Sequence, residues 1–137
     1  MTKSSDQADR AAVRTVLDMI NRAWMTDHPK DLRATLTECF DDTIVIVGPH
    51  FHEVARGKDA CIRIYEDFVA KTTLHASRVS EPRIDIWGDT AVVTYAWEMR
   101  YEIDGHADQD SGQDALVIVR TPAGWRTTWR ALQRNGH

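Results

Sequence analysis

Cysteine is scarce in this sequence. Cys39 and Cys61 are the only two, and they fit neither a disulfide framework nor a metal-ligand spacing such as CxxC. Each lies in an apolar run, where a free thiol behaves as a small hydrophobic side chain. We therefore predict two buried structural thiols.

Long apolar runs are also missing. No stretch approaches the roughly 18 consecutive apolar residues of a membrane span, and residues 1–10 lack the apolar centre of a secretory signal peptide. Glycine-rich loops of the dinucleotide or P-loop type are absent as well, so no nucleotide cofactor is implied. We expect a cytoplasmic protein with no membrane partner and no cofactor.

Positive charge is in deficit. Seventeen Lys and Arg residues face twenty-one Asp and Glu residues, which gives a net charge of −4 and argues against a nucleic-acid partner. The chain has 137 residues, 42% of them hydrophobic and five of them tryptophan. That length is close to the roughly 150 residues of one typical domain, so residues 1–137 are predicted to form a single domain with its own core.

The first half of the chain has the period of amphipathic helices. Apolar side chains recur at three- and four-residue spacing over residues 4–24, which predicts a long first helix. Asp27-His28-Pro29 ends it, because the residue before a proline is driven out of the α region, and Pro29 can open a second helix over residues 30–38. A third helix is predicted to open at Gly57.

The second half alternates with the period of β-strands. Residues 90–103 alternate so regularly that one face carries the large aromatic residues and the other the charged ones. Turn signals divide this half into predicted strands over residues 74–87, 90–103, 113–120 and 125–133. A β-branched run over residues 43–47 predicts one earlier strand between the second and third helices. This order of elements is typical of an α+β protein.

Four short motifs carry a resemblance to a known family. They are Phe40-Asp41-Asp42, Gly57-Lys58-Asp59-Ala60, Trp87-Gly88-Asp89-Thr90-Ala91-Val92-Val93 and Gly124-Trp125-Arg126. With the order of elements, they resemble the SnoaL-like branch of the nuclear transport factor 2-like superfamily, which is related to ketosteroid isomerases and DUF4440-type proteins. The resemblance implies a cystatin-like cone, in which three N-terminal helices pack on a strongly curved, mainly antiparallel sheet. It is specific for fold and poor for function, because the superfamily includes isomerases, hydratases, cyclases, epoxide hydrolases and proteins of no known activity.

The resemblance also implies a cavity lined by the inner faces of the strands and closed by the helices. In the last predicted strand, alternation puts Trp125, Thr127, Trp129 and Ala131 on one face. The residues expected to bind a ligand are Trp24, Trp97, Met99, Tyr101, Leu116 and Trp129. Steroid-isomerase chemistry is not expected, because the positions that match the family's general base and acidic donor are Val47 and Leu116, which cannot transfer a proton.

Asp114 is the main candidate for catalysis. Facing a cavity of Trp, Tyr and Leu side chains, its carboxyl would be desolvated, its pKa raised and its proton available near neutral pH. His50 would complete an acid–base couple if it turned into the cavity. In the alternative interpretation, Asp114 is paired to an arginine or lies exposed at the rim.

His50 and His52 flank Phe51 with a spacing that can place two imidazoles on one metal. No third ligand follows at an informative spacing, so loop histidines at the cavity mouth are the favoured interpretation and no metal site is predicted. A His-ligated metal enzyme is kept as a third hypothesis.

The outer face of residues 92–100 is partly apolar and partly charged, and the resemblance implies a homodimer through this convex face. Our leading hypothesis is a protein with an aromatic conical pocket for a small apolar or aromatic molecule. It either acts on that molecule by cofactor-free acid–base chemistry of the isomerase, hydratase or cyclase type, or only binds it. The alternative is a non-catalytic ligand-binding or dimerisation module.

Overall fold

Three helices and seven strands follow one another in the computed structural model, which describes residues 3–25 and 31–135. The helices are α1 (Lys3–Trp24), α2 (Leu32–Cys39) and α3 (Lys58–Lys71). The strands are β1 (Phe40–Val47), β2 (Glu53–Arg56), β3 (Thr72–Val79), β4 (Arg83–Trp87), β5 (Thr90–Ile103), β6 (His106–Thr121) and β7 (Gly124–Arg134). A single 3₁₀ turn, Pro49–Phe51, separates β1 from β2. The predicted boundary at Asp27-His28-Pro29 lies outside the described residues.

Helix α1 forms because its apolar residues fall on one side. Val13, Leu17 and Ile20 follow at four- and three-residue steps, and each is 3% exposed or less. Asp6 in the first turn and Arg22 in the last turn have the charges that stabilise the ends of the helix dipole. Among the described residues, no helix combines the length and the apolar character that crossing a membrane requires.

The strands form one mixed, curved and unclosed sheet. Its order is β2-β1-β7-β6-β5-β3. Along one edge of β5, β3 pairs with residues 97–103 and β4 pairs with residues 90–94. Strand β1 runs parallel to β7, whereas all the other pairs are antiparallel. The predicted α+β cone is confirmed, with three helices on the sheet.

The core lies between the inner face of this sheet and the helices. Phe40, Ile44, Val93 and Leu116 are fully buried there, and Cys39 and Cys61 are buried free thiols. Burial raises the pKa of both thiols to about 11, so they are protonated at neutral pH. Their surroundings are those of structural, unreactive cysteines.

Strands β6 and β2 depart most from the sequence prediction. Strand β6 begins at His106 rather than near residue 113, because its polar first half pairs residue by residue with β5. Strand β2, Glu53–Arg56, was not predicted, because only its pairing with β1 identifies it. Backbone pairing, which has no local sequence signature here, decides both cases.

A β-bulge in β7 determines which of its side chains face inward. Val117 pairs with Trp129 and Ile118 pairs with Thr127, so Thr128 is an extra residue and the alternation reverses. Beyond the bulge, Arg130 takes an inward position and Trp129 an outward one. The prediction that Trp129 and Ala131 share the inner face of Trp125 and Thr127 is therefore wrong.

Candidate functional site

A largely apolar cavity of about 420 Å³ lies between the inner face of the sheet and the helices. Its apolar wall includes Trp24 from α1, Ile64 and Phe68 from α3, Met99 and Ile103 from β5, and Leu132 from β7. Gly48, Pro49 and Val54, around the 3₁₀ turn, also line it. A pocket of this size and lining accommodates a small organic molecule.

Four side chains form what we call the buried cluster: Tyr95, Trp97, Asp114 and Arg130. Arg130 Nη2 donates to Asp114 Oδ2 at 2.7 Å, and Tyr95 Oη donates to the same oxygen at 2.9 Å. Trp97 Nε1 donates to Asp114 Oδ1 at 2.9 Å. Arg130 is 1% exposed and Asp114 is 5% exposed, so this is an ion pair held in the protein interior.

Within the buried cluster, the positive charge of Arg130 is compensated by the negative charge of Asp114. Burial by itself disfavours the charged guanidinium, but the charge of the Asp114 carboxylate and its hydrogen bond to Nη2 raise the pKa of Arg130. Burial also raises the pKa of Tyr95, which keeps this phenol a hydrogen-bond donor at neutral pH. The three groups bonded to Asp114 are all donors, which suits an acceptor-only carboxylate.

Asp110 and Arg134 form a second ion pair, which we call the rim pair. Asp110, 7% exposed, accepts hydrogen bonds from Arg134 Nε at 2.7 Å and from Arg134 Nη2. It also lies 3.4 Å from the hydroxyl of Tyr101. The hydrogen bond to Asp110 raises the pKa of Arg134, whose side chain is 53% exposed. Both pairs line the cavity, so its two carboxylates face two guanidinium groups.

Several buried donors of the cavity wall have no hydrogen-bond partner among the described residues. They are Trp24 Nε1, Tyr65 Oη, and Nε and Nη1 of Arg130. The Arg130 guanidinium lies 5.5 Å from the centre of the Tyr65 ring. Burial raises the pKa of Tyr65, so its hydroxyl is a protonated donor at neutral pH.

Trp97 reaches Asp114 because the facing residue on β6 is a glycine. A Cβ at Gly112 would lie 2.5 Å from Cζ2 of Trp97 and 2.2 Å from the carbonyl oxygen of Gln133. Both distances are far below van der Waals contact, so no other residue fits here without displacing the indole or the neighbouring strand.

Known proteins share this fold. The model of the SnoaL-like domain matches residues 13–129. The chain belongs to the SnoaL-like family. The match spans α1 from Val13 onward, the following helices, and β7 as far as Trp129. No curated protein matches the chain.

Solved structures similar to this SnoaL-like chain have the same architecture. An NTF2-like protein from Cytophaga hutchinsonii is 18% identical with a TM-score of 0.73, over 98% of this chain and all of its own. An NTF2-like protein with a cystatin-like fold from Novosphingobium aromaticivorans is 17% identical with a TM-score of 0.75, over 96% and 85%. A ketosteroid isomerase-like protein from Erwinia carotovora atroseptica is 22% identical with a TM-score of 0.68, over 94% and 95%. At these identities the likeness shows the fold alone.

Most of the predicted ligand-binding residues of the SnoaL-like chain share the cavity. Trp24, Trp97, Met99 and Tyr101 line it together with Asp114. Leu116 and Trp129 do not, which corrects the sequence prediction. Leu116 is fully buried in the core, two residues beyond Asp114 on β6. Trp129 lies on the outer face, where its ring stacks on Phe51 with centroids 6.4 Å apart.

The structure does not bring His50 to Asp114. His50 is exposed in the 3₁₀ turn, with a φ of 60°, and is not among the residues that line the cavity. The predicted acid–base couple is therefore not assembled. His52 is also exposed, and its Nδ1 lies 2.7 Å from the carbonyl oxygen of Pro49. Within the described ranges, no three His, Cys, Asp or Glu side chains are grouped as a metal site.

Sequence reasoning missed Tyr65, Asp110, Arg130 and Arg134. In the sequence, Tyr65 lies among the apolar residues of the third helix, and the bulge that turns Arg130 and Arg134 inward has no local sequence signal. A signal was nevertheless present. Asp110 and Asp114 are four residues apart, and so are Arg130 and Arg134, which puts each pair on one face of a strand. Opposite charges at matching spacing on neighbouring strands indicate ion pairs across them.

Proposed function

We propose that this SnoaL-like chain binds a small, largely apolar molecule in its cavity. The observation that carries this proposal is a cavity of about 420 Å³ whose wall is apolar apart from the two ion pairs and the tyrosine hydroxyl and tryptophan N–H groups. Such concave apolar sites with a few convergent polar groups are the usual form of small-molecule sites. The ketosteroid isomerase-like structural neighbour is consistent with a ligand of this kind.

The geometry favours ligand binding over acid–base catalysis in which Asp114 and His50 would act as the couple. A general base must reach the proton that it removes, whereas Asp114 is ion-paired with Arg130 and accepts three hydrogen bonds from the cluster, which occupy three of the roughly four lone-pair sites of a carboxylate. His50 lies outside the cavity wall. The hydrogen bonds that Asp114 accepts therefore hold Arg130, Tyr95 and Trp97 in place.

Filling the cavity is expected to weaken binding. Met99→Trp puts an indole into the apolar wall, and we expect it to weaken the binding of 2-ethylnaphthalene at least tenfold because the two compete for one volume. Equilibrium dialysis measures this affinity. The matched control Ala34→Trp adds the same side chain to an exposed position of α2 and should bind like the unmodified chain. Equal affinity of Met99→Trp and the unmodified chain would contradict the proposal.

A second proposal concerns the outer face of the sheet. Val92, Val117, Val119 and Trp129 are all only half-buried there, on the face opposite to the helices, and Val117 pairs directly with Trp129. Contiguous exposed apolar side chains on a sheet mark an association surface. We propose that two copies of this chain associate through this face as an isologous homodimer.

Val117→Arg tests this dimer. Burying an unpaired guanidinium group from each copy in the interface is strongly unfavourable, so multi-angle light scattering is expected to report a dimer for the unmodified chain and a monomer for the variant. Val117→Thr, which keeps the shape of the side chain and adds no charge, should stay dimeric. A monomeric unmodified chain, or a dimeric Val117→Arg, would refute the interface.

A further inference from the structure

We infer that the polar end of the ligand is an uncharged hydrogen-bond acceptor, such as a carbonyl or ether oxygen, which Tyr65 and Arg130 hold. This inference rests on the proposed function and names the chemistry of the molecule that the cavity takes. Its basis is the group of unpartnered donors in the cavity wall.

The unpartnered groups have one property in common: they donate. Tyr65 is 7% exposed and Arg130 is 1% exposed, and both line the cavity. A buried donor that lacks an acceptor destabilises the fold, and an acceptor on a ligand removes that cost. Since the guanidinium of Arg130 lies over the Tyr65 ring, one ligand oxygen can be close to both groups.

The position of Arg130 is fixed independently of the ligand. Its Nη2 is bonded both to Asp114 and to the hydroxyl of Tyr95, at 2.7 and 2.9 Å. Nε and Nη1, which make no such bonds, are therefore held in place before a ligand arrives. Donors that are already ordered bind an acceptor without a further loss of conformational entropy.

The charges of the cavity select against an anionic ligand. Asp114 neutralises Arg130, and Asp110 accepts from Arg134. A carboxylate on the ligand would meet two like charges in an environment of low dielectric constant, and its desolvation would not be recovered. A neutral oxygen costs much less to desolvate and satisfies the same donors.

Three naphthalene derivatives of similar shape distinguish an apolar ligand, a ligand with a neutral acceptor and an anionic ligand. They are 2-ethylnaphthalene, which has no acceptor, 2-acetylnaphthalene, which adds a carbonyl oxygen, and 2-naphthoate, which carries a negative charge. We expect 2-acetylnaphthalene to bind about tenfold more tightly than 2-ethylnaphthalene, since one or two hydrogen bonds are gained. We expect 2-naphthoate to bind more weakly than 2-acetylnaphthalene. Equilibrium dialysis at pH 7 gives the three affinities.

Tyr65→Phe assigns the preference to a donor. It deletes a hydroxyl without a partner among the described residues, so the free energy of unfolding should be unchanged or slightly higher, while the preference for the ketone should fall about threefold or more. The matched control is Thr127→Val. Thr127 is fully buried and its hydroxyl is likewise unpartnered, but it is not among the cavity-lining residues. This control should keep the full preference.

The outcomes separate this inference from the proposed function. If none of the three probes binds, the proposed function fails. If 2-ethylnaphthalene binds as tightly as 2-acetylnaphthalene, or 2-naphthoate binds as tightly as the ketone, the cavity binds small molecules but the inference is wrong. A preference for the ketone that is undiminished in Tyr65→Phe also overturns it. A preference reduced in Tyr65→Phe and kept in full in Thr127→Val supports it.

Discussion

Replacing Arg130 by methionine is expected to lower the free energy of unfolding by about 3–5 kcal/mol. Methionine fills much of the same volume, but it leaves the carboxylate of Asp114 buried without a counter-charge, at 5% exposure. The hydroxyl of Tyr95 also loses the hydrogen bond from Nη2. Urea denaturation followed by far-ultraviolet circular dichroism measures the change.

A double variant shows that the loss comes from the unpaired charge. Arg130→Met with Asp114→Asn has no buried charge at this site, and the amide that replaces the carboxylate can still accept from Tyr95 or Trp97. It should regain at least half of the lost stability. Arg33→Met provides the surface comparison, because the ion pairs of Arg33 with Asp59 and Glu66 are exposed and should contribute at most about 1 kcal/mol each. A double variant as unstable as Arg130→Met would refute this explanation.

Replacing Gly112 by alanine is expected to lower the free energy of unfolding by about 3 kcal/mol or more. The added Cβ overlaps the carbonyl oxygen of Gln133 and the ring of Trp97, and overpacking of this kind costs about 1–3 kcal/mol. Displacing the indole also breaks the hydrogen bond from Trp97 to Asp114, and a bond to a charged group contributes about 1.5–3 kcal/mol.

Two measurements identify the cause of the Gly112→Ala effect. Urea denaturation gives the loss of stability, and near-ultraviolet circular dichroism reports whether the indole of Trp97 has moved. Gln113→Ala, at the next and exposed position of β6, is the control and should change stability by no more than about 0.5 kcal/mol. A Gly112→Ala variant as stable as this control would contradict the close packing of Trp97 against Gly112.

Both predictions place stability and ligand recognition in the same residues. Asp114 orders Arg130, Tyr95 and Trp97 by accepting one hydrogen bond from each. Arg130 in turn supplies the ordered donors that we assign to the ligand. The buried cluster thus builds the cavity wall before any ligand binds, which is the arrangement expected of a preorganised site.

Local sequence patterns were sufficient for most of the fold. The period of α1, the turn at Gly88-Asp89 and the alternation of β5 predicted elements close to those observed, and residues 90–103 were predicted with their observed bounds. The same alternation put Trp97, Met99 and Tyr101 on one face of β5, and the family resemblance implied that this face lines the cavity, where all three lie. These predictions succeeded because each depends on the residues of a single element.

Predictions that required two elements at once were less successful. Asp114 was predicted to be a desolvated acid facing aromatic residues, with a carboxylate paired to an arginine or exposed at the rim as the alternative. Its pairing with Arg130 depends on the register between β6 and β7, so these alternatives have the same local sequence. Leu116 shares the inner face with Asp114, yet the core packs over it and the cavity does not reach it.

By itself, the sequence determined the class of fold and the aromatic face of β5, because side-chain alternation and helical period are properties of a short stretch of chain. It left open whether Asp114 is a desolvated acid, is paired to an arginine or lies exposed at the rim. The tertiary structure alone decided the face of Trp129 and Arg130. The extra residue Thr128 exchanges the faces of Trp129 and Arg130. The bulge disrupts strand pairing locally, whereas the contacts that it allows Arg130 to make, with Asp114 and Tyr95, involve other strands. For this reason the tryptophan expected in the cavity lies outside, and an arginine takes the inward position.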